Sequence, residues 1–323
     1  MKHIGCCLVV LFGAFALSAC SSHSQFVPSQ RTALHLPNPG HSILVIHTHG
    51  SAGDDQVDIC NPNGGPFYGG QSVPDVIERL DTSDREIFVY GLCHFETGDL
   101  LGKKIGKKRN LPCRYNPDVR DEYGNLDQGD RLKVCKRAHA IIAMVEKFKT
   151  FNPTLGSDRI FLSGTSAGAW ASLLAIRIRP DIANAVIAFA PAFTGHYAQA
   201  ISDCRRMGIT EENCKAYDRG KRKIARKHIE FLVKDDLAAM VFAFEGDPFE
   251  DPITLKPLIV RPETHMLPAP PEERPNACLS TMDYPFQSPH SCNHRPWFAD
   301  HYGPLLSIYV ACRVDDPKAE CAP

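Results

Sequence analysis

The sequence predicts an α/β fold, a mostly parallel sheet with helices on both faces. Short strand-like apolar runs alternate with helix-patterned stretches from residue 43 to 247, and parallel strands need such crossovers. A serine stands between two glycines where one run gives way to a helix, at Gly164-Thr165-Ser166-Ala167-Gly168. The 323 residues are 43% hydrophobic and 23% charged, which suits one large domain, and no repeat or second hydrophobic core divides it. A formal net charge of -1 gives no field that favours nucleic acid.

The N-terminus reads as a processing signal. Met1-Lys2-His3 is a short basic start, and Ile4 to Leu17 is apolar but too short to span a bilayer comfortably. Leu17-Ser18-Ala19-Cys20 resembles the lipobox of bacterial lipoproteins, whose cysteine is lipidated and becomes the first residue. That resemblance makes 1–19 a signal peptide and Cys20 the lipidation site. It places the protein in the cell envelope, facing the periplasm and, with Ser21 following, on the outer membrane. An ordinary secretory signal cut after Ala19 is the alternative. Residues 20–40 are rich in Ser and Pro without apolar period and read as a tether.

The body, 41–316, opens with the strand pattern Ile43-Leu44-Val45-Ile46, which runs into His47-Thr48-His49-Gly50. Pro74 to Leu80 is a short helix with Pro in its first turn, and 86–92 is a second strand. Residues 94–129 are polar and Gly-rich, a surface insertion with Lys103, Lys104, Lys107, Lys108 and Arg109 clustered. Ala138, Ile141, Ile142, Val145 and Phe148 mark a helix over about 130–150. Strand, turn and helix follow from 160 to about 178, then strands over 183–193 and 238–247. Between those two lies a charged, helix-forming stretch, about 194–236. Its 220–232 portion sets Ile224, His228, Ile229 and Leu232 against Lys221, Arg222, Lys223, Arg226 and Lys227. A Pro-rich excursion, 261–275, precedes a last helix over 298–312, and 317–323 is a tail.

Thirteen cysteines are present, and the ten outside the signal and Cys20 form an even set that fits an oxidising compartment. Cys204–Cys214 and Cys278–Cys292 are plausible local disulfides. No CxxC or HExxH spacing points to a metal.

The chemistry centres on Ser166. A G-x-S-x-G pentapeptide is weak alone, but strand before and helix after are the context a nucleophile elbow needs. Together with His49-Gly50-Ser51-Ala52-Gly53 after an early strand, the chain resembles the α/β-hydrolase superfamily over most of residues 43–312. The resemblance implies that fold, with 194–236 as a small helical cap. It implies oxyanion donors at the backbone amides of Ser51 and Ala167. It also implies an acid after a later strand, where Asp247 sits between Gly246 and Pro248, with Glu245 and Asp251 as alternatives. The histidine comes last in chain order, and His290, His294 and His301 are available. His290 leaves room for a loop before the final helix and is favoured over His294.

Ser166, Asp247 and His290 then form a triad that hydrolyses carboxylic esters through an acyl-enzyme, with no cofactor. A serine peptidase, a polyester depolymerase and a non-catalytic envelope-binding lipoprotein are the competing readings. The expected partners are an ester substrate, small or polymeric, and the membrane through the N-terminal lipid.

Overall fold

A computed structural model describes residues 24–26, 34–50, 73–92, 129–193, 210–233, 237–244, 247, 249, 252–258, 289–317, 319 and 321. Its strands are β1 (Ser24–Phe26), β2 (Ile43–Thr48), β3 (Ile87–Leu92), β4 (Ile160–Thr165), β5 (Ala185–Phe189) and β6 (Ala239–Phe242). Its helices are α1 (Asp75–Glu78), α2 (Gly129–Phe151), α3 (Ala167–Ile178), α4 (Glu211–Leu232), α5 (Pro252–Leu255) and α6 (Pro296–Asp315). The strands form one sheet in the order β1-β3-β2-β4-β5-β6, parallel at every pairing.

The apolar runs are continuous because both faces are covered. Along β2, Leu44 and Ile46 join a core with residues of α2, α3 and α4. Ile43 and Val45 point the other way, into a core shared with α1 and α6. The helices divide to match. In α2, Val134, Ala138, Ile141, Val145 and Phe148 are buried at three- and four-residue spacing. By contrast α3 is buried all round from Ala167 to Ile176, which explains why its sequence carries almost no polar face.

The final helix is clamped by a reciprocal pair. Arg313 donates Nε–H to Asn184 Oδ1 (3.0 Å), while Asn184 Nδ2 donates to the Arg313 carbonyl (2.8 Å). Both residues are buried. A disulfide joins Cys312 to Cys321, so the tail is tied back to α6. That pairing was not expected from the sequence. Cys135 and Cys292 are disulfide-bonded as well, whereas Cys204 and Cys278 lie outside the described residues.

The tether expectation is corrected in two places. Ser24–Phe26 pairs with Phe88–Tyr90 as β1, occupying backbone groups that an edge strand would otherwise leave open. Leu36 is buried, and its N–H donates to Asn152 Oδ1 (2.7 Å). Asn152 Nδ2 donates in turn to the Leu34 carbonyl (2.6 Å). Apolar Leu34 and Leu36 dock on the body because a core helix end offers them a partner. Within residues 194–236, α4 buries Ala225, His228, Ile229 and Leu232 while Lys223, Arg226 and Lys227 are exposed. His228 packs on Trp170 of α3 with ring centroids 4.7 Å apart. Of the stretch 94–129, read from the sequence as a surface insertion, all but Gly129 lies outside the described residues, as does the Pro-rich stretch 261–275. Among the described residues no helix is long and apolar enough to cross a membrane.

Candidate active site

Ser166 sits where β4 ends and α3 begins, with φ 57° and ψ -124°. A residue with a Cβ rarely adopts positive φ, and here the surroundings impose it. The Ser166 N–H donates to the Phe189 carbonyl at 2.9 Å, and the Ser166 carbonyl accepts from Trp170 N–H at 3.1 Å. Serine at a helix N-cap ordinarily turns its hydroxyl onto the first-turn amides. Ser166 makes no such capping bond. The hydroxyl is thereby left for another use.

Two glycines make the turn possible. A Cβ on Gly164 would strike the Gly168 backbone, and a Cβ on Gly168 would strike the Thr48 and His49 carbonyl oxygens. Strand, helix and the end of β2 therefore approach too closely for any side chain. The G-x-S-x-G spacing is a packing requirement as well as a motif.

Asp247 lies just past the end of β6 and His290 in a 3₁₀ turn, Pro289–His294, directly before α6. His290 donates Nδ1–H to Asp247 Oδ2 at 2.8 Å, and both residues are buried. The other carboxylate oxygen accepts the Phe249 N–H at 2.8 Å. Phe249 also lies over the His290 ring, centroids 4.1 Å apart. Hydrogen bond and ring contact together fix the orientation of the imidazole, with Nδ1 committed to Asp247.

His294 ends the same turn but does not share this arrangement. Burial, with the charges of His290 and Arg295 adding to it, pushes its pKa down to about 4. His301 is exposed on α6 and stacks on Trp297. Glu245, Asp251, Ser51 and Cys20 lie outside the described residues. Ala167, the other assigned oxyanion donor, is the first residue of α3.

The loop after β2 comes up against the serine. The Gly50 Cα faces it so closely that a Cβ there would lie 3.2 Å from Ser166 Cβ. His49 Nδ1 donates to the Gly50 carbonyl at 2.8 Å. Deeper in the sheet, His47 Nδ1 and Ser163 Oγ are 3.0 Å apart across β2 and β4, which makes His47 a cross-strand brace. Among the described residues no cluster of His, Cys, Asp and Glu could hold a metal ion.

Two residues that sequence reasoning passed over also belong here. Buried Asn293 donates Nδ2–H to Thr165 Oγ1 at 2.8 Å, joining the histidine turn to the residue before Ser166. Arg137 of α2, also buried, reaches the His49 and Gly50 carbonyls with Nη1. A cation on the apolar stripe of α2 was the one available sign of Arg137. Asn293 carries none.

Ser166 follows the end of β4, Asp247 lies past the end of β6 and His290 precedes α6, so the three come in the chain order Ser, Asp, His around a parallel sheet. This is the α/β-hydrolase fold. No family model and no curated protein matches the chain. Among solved structures, an esterase of Pyrococcus furiosus is 12% identical, with 84% of this chain and 81% of that one covered at a TM-score of 0.42. Est1E from Butyrivibrio proteoclasticus is 15% identical over 87% and 90%, at 0.40. The RedJ thioesterase of the prodiginine biosynthetic pathway in Streptomyces coelicolor is 15% identical over 83% and 91%, at 0.36.

Proposed function

We propose that this protein is a serine hydrolase of carboxylic esters, exported and held at the bacterial envelope by a lipid on Cys20. What supports the reading is the buried hydrogen bond from His290 to Asp247, together with a serine between β4 and α3 whose hydroxyl makes no cap.

In this reading His290 Nε2 takes the Ser166 proton as Oγ attacks the ester carbonyl. The resulting oxyanion is received by the amides of Ala167 and Ser51. The imidazolium then protonates the departing alcohol, leaving an acyl-Ser166. Water, deprotonated by the same imidazole, releases the acid and restores the serine. Asp247 holds the Nδ1–H tautomer and stabilises the imidazolium in both halves.

Labelling by a fluorophosphonate probe and turnover of p-nitrophenyl acetate test it. Both are expected in the wild type, and both are lost in Ser166→Ala with the far-ultraviolet circular dichroism unchanged. Absence of labelling in the folded wild type would instead favour a binding lipoprotein that retains the fold. Anchoring is read separately, by whether Cys20→Ala moves the protein from the membrane to the soluble fraction.

A further inference from the structure

We propose that Arg137 is a positioning residue, which sets the peptide planes of the His49-Gly50 loop so that the oxyanion site beside Ser166 is preformed. The inference rests on the hydrolase reading and names a device within it. Arg137 is 2% exposed, and a guanidinium kept that far from water needs acceptors. Those acceptors include two consecutive backbone carbonyls, His49 O at 3.4 Å and Gly50 O at 3.5 Å from Nη1. The Gly50 carbonyl is gripped from a second side by His49 Nδ1 at 2.8 Å.

A trans peptide is planar, so fixing its carbonyl fixes its N–H in the opposite sense. With two successive carbonyls drawn to one cation, the loop has little freedom to rotate its amides. The same loop is pinned beneath by α3, where only hydrogen at Gly168 fits against the Thr48 and His49 carbonyls. It also presents Gly50 to Ser166, so closely that a Cβ at Gly50 would lie 3.2 Å from Ser166 Cβ. A loop held on three sides at the nucleophile has the rigidity that preorganised transition-state stabilisation demands. The cation adds a fixed positive charge behind the same carbonyls, opposing their unfavourable dipoles near a developing oxyanion.

The test compares Arg137→Met and Arg137→Lys with the wild type in ester turnover and in the rate of fluorophosphonate labelling. Arg137→Met is expected to lose about 10- to 100-fold in kcat with KM changed by less than about threefold. Arg137→Lys is expected to recover much of that loss, since an ammonium supplies charge and donors without the fork. Added guanidinium ion is expected to raise kcat in Arg137→Met and not in the wild type. If kcat in both variants equals that of the wild type while thermal stability falls, Arg137 is a structural brace only and the proposal is wrong. Should Arg137→Met not fold, the uncharged Arg137→Gln replaces it in the same comparison, and a wild-type kcat in that variant would equally overturn the proposal. Failure of the hydrolase reading is told apart by Ser166→Ala retaining turnover, an outcome that Arg137 substitutions cannot mimic.

Discussion

Asn293 Nδ2 donates to Thr165 Oγ1 across 128 positions of chain, and this bond couples the turn bearing His290 to the strand end bearing Ser166. The tie holds the turn Pro289–His294 against the end of β4. Asn293→Ala is expected to lose about 1–3 kcal/mol of stability, because it strands a buried hydroxyl. It should also lose about tenfold in kcat as the histidine turn loosens. Urea unfolding and steady-state kinetics check both, and a stability loss with unchanged kcat would restrict Asn293 to architecture.

Asp247→Asn keeps the size of the side chain but removes the charge that receives His290 Nδ1–H. An amide nitrogen facing Nδ1 would favour the wrong tautomer, so kcat should fall about 10³- to 10⁴-fold. The substitution should leave KM nearly unchanged. Stopped-time product assays at neutral pH measure it.

The His294 imidazole, with its pKa lowered to about 4, gives the fold an acid-sensitive element. The unfolded chain protonates this ring near pH 6.5, so between about pH 6.5 and 4 the unfolded state binds more protons. The contribution is complete above that window and is lost as pH falls through it. His294→Gln is therefore expected to lose about 2 kcal/mol less stability than the wild type on going from pH 7 to 4.5. Denaturant midpoints at the two pH values read this directly, and equal losses in both proteins would contradict it. A ring with so low a pKa also stays neutral at neutral pH, so His294→Gln should leave the main kinetic pKa in place.

Gly168→Ala sets two effects against each other. In an exposed helix interior the change would gain about 1 kcal/mol of helix propensity. Here the methyl would meet the Thr48 and His49 carbonyl oxygens, and overpacking of this kind costs about 3 kcal/mol. The clash wins, and a lower melting temperature together with impaired turnover is expected. An unchanged melting temperature would mean that the loop yields easily.

What the sequence made legible follows from where its information is local. Strands such as Ile43–Thr48 and Ile160–Thr165 read as apolar runs because both their faces are covered. The elbow was visible because close approach at Gly164 and Gly168 writes itself into adjacent positions. Choosing between His290 and His294 was harder, since they share one polar stretch, and only the turn geometry brings His290 to Asp247. Arg137 and Asn293 act across 88 and 128 positions, and no periodicity encodes contacts of that range. The strand Ser24–Phe26 escaped for a related reason: its pairing satisfies the backbone, to which side-chain pattern is blind.

The positive φ at Ser166 bears on how this chain would respond to selection. Glycine accepts that conformation without penalty, so Ser166→Gly should unfold at a higher denaturant concentration than Ser166→Ala, by about 1 kcal/mol. A lineage released from its reaction and bred only for thermal robustness would drift toward glycine at 166. Persistence of serine there among descendants would therefore record continuing chemical use, at a site where thermodynamics alone prefers another residue.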